Sequence, residues 1–564
     1  MKSLHLLLSM LLLLCFSLQA EERVYERVYI HTDKDCYIAG ENILLKFYLI
    51  DGNFQPSALS KVGYVEVCNT EKPLAQLKVA LEKGRGAGTI KIPKNIPSGM
   101  YQLSGYTRYM RNEGENVYFK KQIAIVNTGQ AYLDPNRFEL VDKQENTPSI
   151  EKNYSGENAL DNLLIKTDQN EYGNRTKVVL SIHNIPENTA DWTISVSRND
   201  SIAFVPAVNK QEWLKQVKDT FRFSQQWIPE YEGHIISGRF VPKPQTEELL
   251  SSIAFVGKDI RYFNGQINSP NGTVDFYTAG IFGEQQIVTS AISPLYEQVP
   301  YRVDLLTPFA ESLPGNLPVL QIYPNEKQLI ERQIGVQIQE KTNNDSTINN
   351  PMQLLDYFNL QPILSYDLDE YTRFGTISET ILEFVNRVRV AKVRNSRKIS
   401  VYLDEIQRFS LRTLVLLDGI PVYNHEDILE YNPMYIQKIN VYDRRYLFGS
   451  DDLESIISFI THEGNLPFFQ LTEGSQLFNY DCPQLPLPFK NPDYSIAEIR
   501  DSKNPDFRHT LYWNPFGEFT HGPSADLSFY TSDLCGEFKV TVEGITADGK
   551  MIGGVSYFRV DNTR

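Results

Sequence analysis

The sequence predicts a mostly β, multidomain protein, and three observations predict it. Short runs of alternating apolar and polar residues recur at roughly ten-residue spacing, with Gly, Pro or Asn between them. One such unit returns later in the chain without a gap. Past Asn343 a single helical pattern stands among strands, so an α+β domain interrupts an otherwise β chain. A chain of 564 residues has room for roughly three to five domains. Its 41% apolar content excludes global disorder, and its net charge of −15 argues against nucleic acid, whose phosphates demand a basic face. The 32 Tyr and 30 Phe suit strands that carry half-buried rings.

At the N-terminus, Lys2 precedes an apolar run from Leu6 to Phe16, followed by Ser17, Leu18, Gln19 and Ala20 and then Glu21-Glu22-Arg23. That is the layout of a cleavable export signal over residues 1–20, too short for a stable transmembrane helix. The rival reading lipidates Cys15, and Leu14 argues against it, because a small residue is wanted just before such a cysteine. No later apolar stretch has membrane-spanning length.

Residues 21–130 read as a β-sandwich. Arg27 to Thr32 alternates and meets the turn Asp33-Lys34-Asp35; further apolar runs follow at 43–50, 64–67, 74–81, 88–92 and 101–107. The repeat then appears. Ile30-His31-Thr32-Asp33-Lys34-Asp35-Cys36-Tyr37 is matched by Ile165-Lys166-Thr167-Asp168-Gln169-Asn170-Glu171-Tyr172, and 43–47 falls on 178–182. Residues 145–230 are therefore expected as a second sandwich, with a local helix near 210–221. A third β domain is expected over 231–340, and a polar linker at 341–347. Helical spacing over 376–388 places Ile377, Ile381, Phe384, Val385 and Val388 on one face. Strands at 414–417, 436–442 and 456–461 complete an α+β domain over 350–464, expected to pack on a separate C-terminal β-sandwich over 465–564.

Four cysteines remain after the signal, and none has CxxC spacing. They permit one disulfide per terminal region, Cys36 with Cys68 and Cys482 with Cys535; four separately buried thiols are the alternative.

Two segments resemble known families. Val28-Tyr29-Ile30-His31-Thr32-Asp33 with Tyr37-x-x-Gly40-Glu41, and Pro97-Ser98-Gly99-Met100-Tyr101-Gln102-Leu103 with Tyr106-Thr107, resemble macroglobulin-type sandwiches of bacterial envelope proteins. Leu414-Val415-Leu416-Leu417-Asp418-Gly419-Ile420-Pro421-Val422 resembles the strand-turn-strand signature of TonB-dependent receptor plug domains. Asn432-Pro433 with Ile436-x-Lys438-Ile439, Leu447-Phe448-Gly449, and Ile456-Ile457 through Gly464 resemble its later pieces. Leu416, Asp418, Gly419, Pro421 and Gly449 carry that signature. Only 100 residues follow Gly464, whereas a large barrel needs roughly 200 at ten per strand. The resemblance thus implies a barrel-less macroglobulin-plus-plug protein of the Gram-negative envelope.

Chemistry is hard to find in the pattern. A thioester needs Cys two residues before Glu-Gln, and Phe282 stands there in Phe282-Gly283-Glu284-Gln285-Gln286. The eight histidines are scattered, and no Gly-x-Ser-x-Gly, His-Glu-x-x-His, P-loop or dinucleotide motif occurs. Asp506, His509, His521 and Ser524 share one segment. Asp367-Leu368-Asp369-Glu370 and Asp451-Asp452 lack the spacing of a calcium loop and read as turns or caps. Asp418-Gly419 reads as a tight turn in which Asn would serve equally. The expectation is a non-enzymatic envelope adaptor without cofactor or metal, contacting outer-membrane proteins or an exported ligand. A hydrolase using the Asp506/His509 region, and a structural spacer, are the other classes.

Overall fold

The computed structural model describes residues 25–130, 136–141, 163–345 and 360–562, apart from 188, 201, 207, 209, 218–221, 246–248, 294–298, 324, 394–395, 449–450, 518–523 and 549. The export signal, Cys15 and Gly449 lie outside the described residues.

The first sandwich pairs a three-stranded sheet with a five-stranded one. The three-stranded sheet runs Glu26–Thr32, Asn42–Asp51, Arg85–Lys91; the other runs Cys36–Ile38, Phe119–Val126, Gly99–Thr107, Val62–Cys68, Pro73–Ala80. Alternation sends Ile43, Leu45, Phe47, Val65, Val67, Leu103 and Ile123 between the sheets, each buried. The second sandwich repeats this strand for strand. Leu164–Thr167, Lys177–His183 and Ser524–Tyr530 form its small sheet; Glu171–Tyr172, Met551–Val560, Gly536–Thr546, Thr189–Arg198 and Thr510–Asn514 form its large one. Even the parallel pairing of a short strand recurs, Cys36 with Ala124 and Glu171 with Arg559.

The domain boundaries expected at 230 and 465 are therefore corrected. The C-terminal strands make no sandwich of their own; they complete the second one, whose fourth and fifth large-sheet strands are separated in sequence by everything between Arg198 and Thr510. The third sandwich occupies that insertion. Thr273–Tyr277, Ile235–Val241 and Arg302–Leu305 face Tyr262–Gln266, Leu250–Phe255, Glu284–Ile292 and Gln476–Asp481. Its last strand also comes from beyond an insertion, and that insertion holds the α+β domain. The β expectation to residue 340 and the expected linker over 341–345 give way to a helix, Glu326–Asp345, which lies against the first two sandwiches through Val336 and Arg332, while 346–347 lie outside the described residues. The other expected helix forms as Lys210–Val217, with Trp213 donating to the Val28 carbonyl at 2.9 Å.

In the α+β domain the sheet order is Leu364–Asp367, Ile436–Tyr442, Ser455–Thr461, Thr413–Leu417, Ile420–Pro421. Its helix is Ile377–Phe384, capped by the Thr376 side chain, which accepts from Glu379 N. It stops at Val385, and the expected residue Val388 opens a strand, because Arg387 takes a left-handed φ of 64°. Ile377, Ile381 and Val385 pack with Val415, Leu417, Ile439 and Phe459 on one face of the sheet. Leu414, Leu416 and Ile456 point to the other face, onto Ala254, Ile260, Tyr262 and Val288. The domain packs on the third sandwich, not on the C-terminal strands as expected.

Both disulfide pairings fail, and all four thiols are free. Cys36 and Cys68 lie on strands three positions apart in one sheet, roughly 14 Å at about 4.8 Å per strand, where a bridge needs less than about 7 Å. Cys482 sits in the core of the third sandwich, and Cys535 lies in the second, 3.7 Å from Asn174 Oδ1.

Candidate functional site

The repeated sequence builds a repeated corner. Tyr37 donates to Asp33 Oδ1 at 2.9 Å, and Leu44 N donates to the same oxygen at 3.1 Å. In the second copy Tyr172 donates to Asp168 Oδ1 at 2.6 Å and Val179 N at 2.8 Å. Thr32 and Thr167 each donate to the carbonyl two residues on, both at 2.7 Å. The aspartates are hinge pins between strands, tied by acceptor geometry rather than by chemistry.

Among the described residues, three of the buried charged clusters that join the sandwiches contain a histidine. At the first, Arg332 forks onto Glu41 at 2.9 and 2.5 Å and donates to the Cys36 carbonyl, while Asp200 lies 3.6 Å away and is shared with His509 and Arg198. Burial alone would raise the Glu41 carboxyl; Arg332 and Lys34 outweigh it and hold it below the usual range. At the second, Glu543 takes Lys210 at 2.6 Å and the Tyr29 hydroxyl at 3.0 Å, near His31 at 3.9 Å. Burial pushes His31 down to about 4 against the pull of Glu543. At the third, Glu230 accepts from Tyr64 at 2.9 Å and from Ile235 N at 2.8 Å. It also meets His234 Nδ1 at 2.9 Å, and His234 Nε2 meets Tyr480 at 2.7 Å. This cluster joins the first and third sandwiches. Burial lowers His234 although Glu230 pulls it up. All three have the residue types of an active site, but each lies sealed between domains.

The sequence-selected hydrolase residues are not brought together. Asp506 accepts from Arg508 at 2.8 Å and from Tyr494 at 2.8 Å; the His509 ring faces Asp200 at 3.3 Å; Ser524 pairs with His183 in a strand. His521 lies outside the described residues. Asp367 caps the turn Leu368–Glu370, and Asp369 meets Arg373 and His462. Asp451 and Asp452 begin a short strand. Among the described residues no three His, Cys, Asp or Glu side chains converge as a metal site, and no helix is long and apolar enough to cross a membrane. An open recess of about 400 Å³ is lined by Pro486, Phe489, Tyr512, Trp513 and Phe516 among others, with no carboxylate, histidine or thiol.

No protein family and no curated protein matches the chain. Solved structures do. Native Escherichia coli alpha-2-macroglobulin is similar at 10% identity and a TM-score of 0.22, over 95% of this chain and 40% of that one. A Salmonella alpha-2-macroglobulin mutant is similar at 9% and 0.22, over 96% and 40%. The Yersinia pseudotuberculosis adhesin InvE is similar at 11% and 0.14, over 49% and 58%. The chain spans about two fifths of the length of those macroglobulins. At these values the functional reading rests on the chain's own residues.

The expectation for Asp418 needs the largest correction. It is fully buried, at φ 45°, and Gly419 follows at φ 78°. Its carboxylate accepts from Thr461 N and Thr461 Oγ1, both at 2.7 Å, and from Leu466 N at 2.8 Å; its carbonyl accepts from Gly257 N at 3.0 Å. A Cβ on Gly419 would stand 2.7 Å from the Phe255 carbonyl oxygen. The turn therefore pins the α+β domain to the third sandwich, and one amide cannot accept what two carboxylate oxygens accept. Pro421 pairs with Leu416 beside it, and both are buried. The Asp-Gly pair signalled a turn; nothing local signalled its burial.

Beyond that anchor the domain displays apolar side chains. Phe468 is 83% exposed at φ 59° and stands 5.2 Å from the Tyr435 ring, whose sequence neighbour Met434 is 58% exposed.

Proposed function

We propose that this is an exported, non-enzymatic binding protein of the cell envelope, an adaptor whose α+β domain contacts an outer-membrane protein. The observation that carries the reading is the way that domain is held. Its sheet is covered on one face by its own helices and on the other by the third sandwich, and the Asp418 turn pins it there through its carbonyl, which accepts from Gly257 N at 3.0 Å. Such a unit presents loops and strand edges to a partner without moving, which lowers the ordering cost of association. The residue order of a TonB-receptor plug supports a membrane barrel as the partner class, and the N-terminal export signal supports the compartment. The buried clusters are spent on joining domains, which supports binding over catalysis.

Affinity purification of the full chain from envelope extracts tests this. Co-purification of a β-barrel protein, reduced by Phe468→Asp, is the expected result. Recovery of no envelope protein, together with a hydrolytic activity lost in His509→Ala, would overturn it.

A further inference from the structure

We propose that the outer edge of strand Val388–Val393 is a docking site for an extended acidic segment of a partner protein, added as a further strand. This rests on the binding role above and names the chemistry that one of its surfaces selects. The strand forms a hairpin with Ser396–Leu403, Val388 opposite Val401 and Val393 opposite Ser396. Tyr402 N donates to the Arg387 carbonyl at 2.7 Å. Antiparallel alternation then turns the N–H and C=O groups of Arg389, Ala391 and Val393 toward the partner strand and those of Val388, Val390 and Lys392 away from it.

The two sides of the hairpin are treated differently. On the far side of Ser396–Leu403 the outward groups are closed: Ile399 N donates to His425 Nδ1 at 2.9 Å, Val401 N to Ser410 Oγ at 2.9 Å, and Ser410 N to the Val401 carbonyl at 2.8 Å. On the far side of Val388–Val393 no described residue pairs with the strand. It is nonetheless anchored, because Val388 and Val390 pack against the domain core. An anchored edge with three outward residues is a template for main-chain pairing.

Charge selects the occupant. Between 387 and 398 stand Arg387, Arg389, Lys392, Arg394, Arg397 and Lys398 with no acidic residue, in a chain of net charge −15. Asp404 takes Arg387 at 2.6 Å and Glu426 takes Arg397 at 2.6 Å. Arg389 is exposed and lies over the Phe409 ring at 3.8 Å, and Lys392 is also exposed. A basic edge rejects a second copy of itself, since like charges opposite each other destabilise a pair, and it favours an acidic strand.

The test measures fluorescence anisotropy of labelled nine-residue peptides with the full chain: one alternating Glu and Val, one alternating Lys and Val, and the Glu/Val peptide with alternate amides N-methylated. The Glu/Val peptide should bind and weaken with salt, and the other two should not bind. Lys392→Pro removes an outward N–H at an exposed position, which an edge strand tolerates; it should weaken Glu/Val binding tenfold or more with an unchanged melting curve. Lys392→Glu should weaken it several-fold. Equal binding of the Lys/Val peptide, or Glu/Val binding untouched by both substitutions, would overturn the proposal. If no peptide binds while a barrel is still captured from extracts, the edge proposal falls and the adaptor reading stands.

Discussion

In the first sandwich the position just past the corner is Gly40, at φ 94°; in the second it is Arg175, at φ 51°. The backbone demand is the same, and the covering differs. A Cβ on Gly40 would meet Val336 of the helix Glu326–Asp345 at 3.0 Å, whereas Arg175 reaches out to Asp533 at 2.7 Å. The next residue diverges likewise: Glu41 lies beneath that helix on Arg332, and its counterpart Thr176 donates its N–H to the Thr531 hydroxyl at 2.8 Å and accepts from Thr531 N at 3.0 Å. His31 is buried at a seam, while Lys166, its counterpart, is exposed. The corner is local, and what rests on it is decided by the elements that cover it.

The largest effect should come from Glu41→Ala. It strands the buried Arg332 guanidinium and should cost about 3–5 kcal/mol by chemical denaturation, against less than about 1 kcal/mol for Thr176→Ala. Equal losses would break the comparison. Next comes acid sensitivity. His31 titrates near 4 when folded, below its ordinary 6.5, so its contribution is full above pH 6.5 and is lost as pH falls toward 4, about 3 kcal/mol in all. The depressed carboxyls Glu41 and Glu543 add their loss only below their ordinary value of 4.5. Stability against pH should therefore begin to fall near 6.5, with His234, His425 and His509, which burial also lowers, adding to the loss; His31→Asn should make the slope between 6.5 and 4.5 shallower, and Lys166→Asn should not. An unchanged slope in His31→Asn would contradict the buried seam.

Asp418 extends the comparison to a third aspartate at a turn. Because its carboxylate is buried and triply bonded, Asp418→Asn should cost about 1–3 kcal/mol in thermal unfolding. A neutral substitution would return it to the status of an ordinary turn. The smallest effect should be Arg175→Gly. Relief at a left-handed position offsets the lost pairing with Asp533, so the net change should be about 1 kcal/mol. Faster proteolysis near Ser502 and Asn504, whose carbonyls Arg175 also binds, would report it.

Alternation and turn residues made the strands legible, and the ungapped match of Thr32, Asp33 and Tyr37 with Thr167, Asp168 and Tyr172 made the two corners legible. The helix face of Ile377, Ile381 and Val385 was legible from its period. Nesting was not, because strand partners far apart in sequence leave no periodic trace; Lys177–His183 and Ser524–Tyr530 each look like a strand of any sandwich. The seams were hidden for the same reason. Arg332 sits in a polar helix that read as part of a β domain and linker, and its partner Glu41 reads as a surface residue after a Gly turn. The cysteines misled because an even count in an exported chain suits pairing, whereas sheet order set Cys36 and Cys68 apart.

Amide hydrogen exchange on the chain lacking residues 505–564 tests the nested architecture most directly. The structure places Lys177–His183 against Ser524–Tyr530, and Thr189–Arg198 between Thr510–Asn514 and Gly536–Thr546. Deletion should therefore expose 177–183 and 189–198 to rapid exchange, while Val62–Cys68 and Gly99–Thr107 in the first sandwich stay protected. Continued protection of 177–183 and 189–198 would contradict the account.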